Sequence, residues 1–187
     1  MKTAKDKKVV VGADFAGFTL KEHVKRHLIR KGWDVTDLTP DLDGIPMYHR
    51  VGFLVGSRIA EGEFEKALAF CGTGMGVHVA ASKCPHVHAA VCESVHSARR
   101  SATANGCNVL AMGGFWIAPR LGMAMADAFL EHSLGDGYED WEGFYAYHKL
   151  GFDECESFDY EAYKANGFEV ADARVPALGP EPVGLAF

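Results

Sequence analysis

The chain has 187 residues, 48% hydrophobic and 24% charged, which suits one soluble α/β domain with its own core. Its 19 basic and 25 acidic residues leave a formal net charge of −6, which argues against a nucleic-acid partner, for which a basic face is expected. No apolar stretch approaches the roughly 20 residues of a membrane span, and Val9-Val10-Val11, behind a polar, lysine-rich start, is too short for a signal segment.

In chain order, the β-branched run Val9-Val10-Val11, closed by Gly12, predicts a strand. Leu20, Val24 and Leu28 share one stripe of an amphipathic helix, with Gly32 just past its end. Trp33 to Leu38 fits a second strand, and Pro46 begins a helix with Val51, Leu54, Val55 and Ile59 inward. Residues 66–71 predict a third strand, Met75 to Lys83 a short helix, Val87 to Cys92 a strand and residues 97–106 a helix. Asn108 to Met112 gives a strand ended by Gly113-Gly114, and Pro119 to His132 a helix with Leu121, Met125, Ala128 and Phe129 inward.

This alternation implies a parallel sheet of about five strands covered on both faces, a Rossmann-like three-layer α/β/α sandwich spanning residues 1–132. Residues 133–187 differ: Tyr138, Trp141, Phe144, Tyr145, Tyr147, Phe152, Phe158, Tyr160 and Tyr163 crowd an acidic segment without strand pattern. We expect a helical or irregular C-terminal extension that packs on the domain or on a second subunit, with Val175 to Phe187 as an extended arm.

Five cysteines, Cys71, Cys84, Cys92, Cys107 and Cys155, show no paired spacing, so reduced thiols and a cytoplasmic setting are expected. Cys84, His86, His88, Cys92 and His96 lie within 13 residues, but standard zinc spacings are absent. His86, His88 and Cys92 fall on one face of a predicted strand, where surface histidines are the simpler account, and no metal is expected. A dinucleotide fingerprint fails at Val77, where its third glycine belongs. Gly12 to Gly17 has phosphate-loop spacing, yet Phe18 and Thr19 stand where Lys and Ser or Thr are needed.

Phe70-Cys71-Gly72-Thr73-Gly74-Met75-Gly76 carries the strongest chemistry. Ala67-Leu68-Ala69-Phe70 reads as a buried strand ending in a tight loop that opens a helix. A thiol at a helix N-terminus has its thiolate form favoured. Thr73 adds a hydroxyl, and the three glycines allow close backbone approach. Such a loop can take a proton from carbon and stabilise the oxyanion that develops. The competing account is a buried structural cysteine.

Several blocks together resemble the ribose-5-phosphate isomerase B and galactose-6-phosphate isomerase family. They are Gly12-Ala13-Asp14-Phe15-Ala16-Gly17-Phe18 with Leu20-Lys21, Cys71 to Gly76, Ala80-Ala81-Ser82-Lys83, Cys92 with Ser97-Ala98-Arg99, and Asn108 to Gly113. The likeness runs in order over residues 8–132. It implies a homodimer or homotetramer with active sites near the interface that borrow residues from the neighbour. It implies aldose–ketose isomerisation of a small sugar or sugar phosphate through an enediolate, without metal or organic cofactor. By this resemblance Cys71 is the base, Thr73 and the amides of Gly72 to Gly76 stabilise the enediolate, Asp14 handles hydroxyls and helps ring opening, and Asn105 contacts sugar. Phe15, Gly72, Gly74, Met75, Gly76 and Arg99 complete the expected substrate contacts.

The chain also departs from the family pattern. Phe15 stands where a histidine follows the aspartate, and the family's ring-opening histidine aligns with Ala104. His96, eight residues earlier, is the candidate substitute, with an exposed or core histidine as the alternative. Phosphate-binding arginines are replaced by Phe115 and His88 and are missing from Tyr138 to Lys149. The substrate's far end is then either not a phosphate or held by others such as Arg99, Arg100, His148 or Lys149, with Phe15, Phe115 and Trp116 offering stacking. An isomerase of an unphosphorylated sugar or sugar acid, or a non-catalytic sugar-binding descendant, is the alternative reading.

Overall fold

The computed structural model describes residues 4–170, 174–180 and 182. Five strands alternate with helices: β1 (Lys8–Ala13), α1 (Phe18–Arg30), β2 (Asp34–Asp37), α2 (Tyr48–Ala60), β3 (Ala67–Cys71), α3 (Met75–Ala81), β4 (Ala89–Val91), α4 (Val95–Asn105), β5 (Val109–Gly113) and α5 (Pro119–Leu130). All pairings are parallel, in the order β2-β1-β3-β5-β4. β3 and β5 are buried along their whole length, as strands covered on both faces must be.

The two faces carry separate cores. Leu20, Val24 and Leu28 of α1 pack with Ala98, Ala102, Met125 and Phe129 of α4 and α5 on one face. Val51, Val55 and Ile59 of α2 pack with Val77 and Ala81 of α3 on the other. Each large apolar side chain removed from water in this way contributes about 1.5–3 kcal/mol. Crossovers leave β1 and β3 in opposite directions, toward β2 and toward β4. The carboxyl ends of β1 and β3 therefore flank the topological switch point, where ligand crevices form in such sheets.

β4 is shorter than the sequence pattern suggests, only Ala89–Val91. His86 and His88 precede it rather than sharing a strand face with Cys92, and His86 has φ +61°. Both imidazoles bond the carboxylate of Glu156, His88 Nε2 at 2.6 Å. Among the described residues, no group of three metal-type side chains is arranged to hold an ion. No described helix is long and apolar enough to cross a membrane.

Beyond α5 the chain forms α6 (Phe144–Glu156) and α7 (Tyr160–Ala165). Tyr138 and Phe144 stack at 4.2 Å and bury themselves against Ala104 of α4. Arg100 lies over both rings, 4.8 and 5.2 Å from their centroids. Glu156 ties the far end of α6 to the segment before β4 through the two histidines. Residues 174–180 have no regular structure; the Trp141 indole donates to the Gly179 carbonyl at 2.6 Å. The rest of the expected arm lies outside the described residues, residue 182 excepted.

Candidate active site

The loops after β1, β3 and β5 meet at the switch point. The Asp14 amide donates to the Phe70 carbonyl at 3.1 Å, and the amides of Gly114 and Phe115 donate to the carbonyls of Cys71 and Gly72 at 2.8 and 3.0 Å. Asp14 shapes its own loop, since its Oδ1 accepts the Gly17 amide at 2.9 Å. Gly17 then lies against β3 so closely that a Cβ there would sit 2.5 Å from the Phe70 carbonyl carbon and 2.7 Å from the Cys71 nitrogen.

Cys71 is buried, only 3% exposed, at the last position of β3. The Gly74 amide donates to its Sγ at 3.1 Å. Gly74 reaches that position with φ +79°, a left-handed conformation that favours glycine. The Thr73 hydroxyl accepts the Met75 amide at 3.2 Å. The thiol, the hydroxyl and the turned amides thus share one short loop. This arrangement can hold a developing oxyanion beside a proton-transfer group.

The other cysteines have different surroundings. Burial pushes the Cys107 thiol up to about 12 and raises Cys92 and Cys84 as well, so these three behave as small apolar side chains.

Aromatic and apolar side chains surround the loop. The Phe115 ring occupies the space a side chain on Gly72 would need, and the Tyr48 ring does the same at Gly76. Phe15 and Phe115 are 74% and 71% exposed, and Met75 and Trp116 are also exposed.

Beneath Asp14 lies a network that sequence patterns did not single out. The Ala13 amide donates to Thr39 Oγ1 at 2.8 Å, and the fully buried Lys21 donates to the Thr39 carbonyl at 2.6 Å and to Asp37 at 2.8 Å. Burial alone would raise Asp37, but the hydrogen bonds from Lys21 and Lys25 outweigh it and hold the carboxyl below its ordinary range. A lysine inside an apolar helical stripe is the one sequence signal for this network. Tyr48 left no signal, because its partner Gly76 lies on another helix.

The remaining expected site residues are spread out. His96 is exposed on the first turn of α4, at the same sheet end as Cys71 but above β4, with β5 between β4 and β3. Asn105 ends α4, about 14 Å along the helix from His96, where the chain turns back to start β5. It therefore stands at the opposite end of the sheet from Cys71. Arg99 turns to the extension, its guanidinium carbon 6.0 Å from the Tyr138 ring. Against the far part of α4, burial lowers His148 of α6, and Ala104 and Asn105 line one cavity of about 300 Å³ with it.

Solved structures share this frame. Ribose 5-phosphate isomerase B from Thermotoga maritima superposes with a TM-score of 0.70 at 27% identity, covering 81% of this chain and 98% of its own. The enzyme from Mycoplasma genitalium, solved with bound ribulose-5-phosphate, gives 0.70 at 26% identity, covering 83% and 96%. The fold is that of these sugar isomerases. The family described as Ribose/Galactose Isomerase matches residues 9–141, and the chain belongs to it. A 4-deoxy-4-sulfo-D-erythrose isomerase from Clostridium sp. (strain MSTE9) is 41% identical over 135 residues, 72% of this chain and 85% of that protein. A D-erythrulose-4-phosphate isomerase from Pectobacterium atrosepticum is 32% identical, covering 69% and 86%. Ribose-5-phosphate isomerase B from Escherichia coli is 34% identical, covering 66% and 83%.

Proposed function

We propose that the protein is an aldose–ketose isomerase that moves a proton between C1 and C2 of a short sugar with an anionic far end, using Cys71 as base. The observation that carries this reading is the Cys71 sulfur at the switch point, with the Gly74 amide 3.1 Å away. The Cys71 thiolate takes the C2 proton of the open aldehyde. The C–H electrons form a C1–C2 double bond, and the carbonyl electrons move to O1. Thr73 and the amides of Gly72 to Gly76 stabilise that oxygen. The thiol returns the proton to C1, while the O2 hydroxyl proton passes to O1 as O2 becomes the new carbonyl. Asp14 orients the hydroxyls. The sequence changes no oxidation state overall and uses protein groups alone.

Relatives named for four-carbon sugars with a sulfonate or phosphate at C4 support a substrate of that length. A sulfonate carries one negative charge, and the exposed side chains on the loops next to Cys71, Phe15, Phe115 and Met75, are apolar. Asn105, at the far end of the sheet, meets sugar only in a second copy's site, so the working form is a homodimer or homotetramer. We place it in the cytoplasm, where its thiols stay reduced.

The test is a panel of four- and five-carbon sugar phosphates, a four-carbon sulfonate, free pentoses and hexuronates, with ketose formation followed by proton NMR. Turnover of a four-carbon anion supports the reading. A rise in melting temperature with no turnover on any sugar would mark a sugar-binding protein instead. For the shared site, mixing inactive Cys71→Ala and Asn105→Ala proteins restores activity if each site draws on two chains.

A further inference from the structure

Isomerisation moves two protons, one between C2 and C1 and one between O2 and O1. Cys71 carries the first. The second needs a group that takes a hydroxyl proton and gives it back at neutral pH, a task suited to a neutral imidazole.

Asn105 is exposed at the end of α4, and the reading above places it in a second copy's Cys71 site. Whatever stands beside Asn105 enters that site with it. One cavity of about 300 Å³ joins Asn105 to His148, with Ala104, Tyr147 and Phe152 in its wall. His148 is half-buried on α6, 4.4 Å from the Phe144 ring. Its backbone partner is the carbonyl of Ala104, the residue next to Asn105. A carbonyl only accepts, so the nitrogen facing it carries the hydrogen and the other nitrogen of the neutral ring keeps a lone pair. Burial, reinforced by the Arg100 guanidinium, lowers His148 and keeps the ring neutral.

The other imidazoles are placed differently. His88 lines the same cavity, but its Nε2 bonds Glu156 at 2.6 Å, and His86 bonds the same carboxylate. His27 bonds Asp127 at 2.8 Å, and His132 meets the Ala128 carbonyl at 2.9 Å. His23 is exposed on α1. His96 lies at the other end of α4, about 14 Å from Asn105 along the helix. His49 and His78 belong to α2 and α3, on the opposite face of the sheet from α4. His78, one turn into α3 from the Cys71 loop, is the main rival.

We infer that His148 of a second copy, standing beside that copy's Asn105, takes the O2 hydroxyl proton in the Cys71 site and returns it to O1. This rests on the aldose–ketose reading above and its shared site. As the imidazole nitrogen takes the O2 proton, the O–H electrons form the new carbonyl at C2. The C1–C2 double-bond electrons take the proton from the Cys71 thiol at C1, and the imidazolium gives its proton to the O1 oxyanion. Thiolate and neutral imidazole are both restored. C2 is oxidised as C1 is reduced, with no outside reductant.

The test follows D-erythrose 4-phosphate in D₂O with His148→Asn and His148→Gln. Ketose and carbon-bound deuterium are read by NMR, and folding by melting temperature. Ketose formation should fall by about 100-fold, a typical acid–base contribution, while deuterium still enters C2 at nearly the parent rate. Added imidazole should restore ketose formation. Refolding His148→Asn together with Cys71→Ala should also regain turnover, because one site of each mixed pair then holds Cys71 from one copy and His148 from the other. Four results with an active parent would overturn the inference and leave the aldose–ketose reading standing. These are parent-like turnover in both variants, an equal loss of ketose and deuterium, a rise in KM alone, or no gain on mixing. The same separation of exchange from turnover in His78→Asn or His96→Asn, and not in the His148 variants, would also overturn it. A parent protein that turns over no four- or five-carbon sugar removes the aldose–ketose reading, and this inference with it.

Discussion

The Gly74 amide points at the Cys71 sulfur from 3.1 Å, across a turn of four residues. This contact fixes the thiol relative to the amides that follow it. Positioning of this kind matters because small displacements of reacting groups cost large factors in rate.

Gly17 sets how closely the β1 loop approaches that thiol. In Gly17→Ala the new Cβ would sit 2.5–2.7 Å from backbone atoms of Phe70 and Cys71, which cannot swing away. We expect a loss of about 1–3 kcal/mol in urea unfolding, together with a fall in turnover larger than any change in KM. Full activity in this variant would show that the two loops need not touch.

Lys21 anchors the other side of the Asp14 loop. Its ammonium is fully buried and meets Asp37, Glu22 and the Thr39 carbonyl. Lys21→Met removes one partner of a buried ion pair, which typically costs about 3–5 kcal/mol. Chemical denaturation measures it, with Lys21→Arg expected to recover part of the loss. Asp37 is held low in the folded protein, so its stabilisation is present above the ordinary carboxylate range and is lost as pH falls through its folded value. That acid dependence should weaken in Lys21→Met.

Lys66 behaves in the opposite sense. Its ammonium holds the carbonyls of Phe129 and His132 at the end of α5, and burial pushes it down to about 8. The unfolded chain then binds the proton more tightly than the folded one, so stability rises as pH climbs from about 8 toward the ordinary lysine value. Between about pH 8 and about pH 9.5 the wild type should gain roughly 1–2 kcal/mol relative to Lys66→Met. A flat difference between the two proteins over that range would show that the burial carries no such cost.

The sheet is largely legible in the sequence because buried parallel strands are short apolar runs, and β1, β3 and β5 are such runs, with β1 continuing one residue past Gly12 to Ala13. The edge is less legible. Val87 to Cys92 looks like a full strand, but His86 turns to positive φ and the His88 amide is taken by Asn108 Oδ1 at 2.9 Å, so pairing starts only at Ala89. The extension announces itself by aromatic density, yet its helices leave no stripe, because α6 buries only Phe144. Loop chemistry singles out Cys71 and Thr73, and the family resemblance adds Asp14; the structure brings their two loops into contact. The far placement of Asn105 follows from strand order, which no single segment encodes. The Lys21–Thr39–Ala13 link joins α1, the loop after β2 and β1 through space, and only the lysine in the α1 stripe hints at it along the chain.

The central claim is that Cys71 carries the proton between C1 and C2. The most direct measurement is isomerisation of the four-carbon substrate in D₂O by Cys71→Ala and Cys71→Ser, with deuterium at C1 and C2 read by NMR and folding checked by melting temperature. The account expects folded variants that lose turnover and carbon-bound exchange together, by about 10²–10⁴-fold. A Cys71→Ala protein that still isomerises and exchanges deuterium at the parent rate would contradict it.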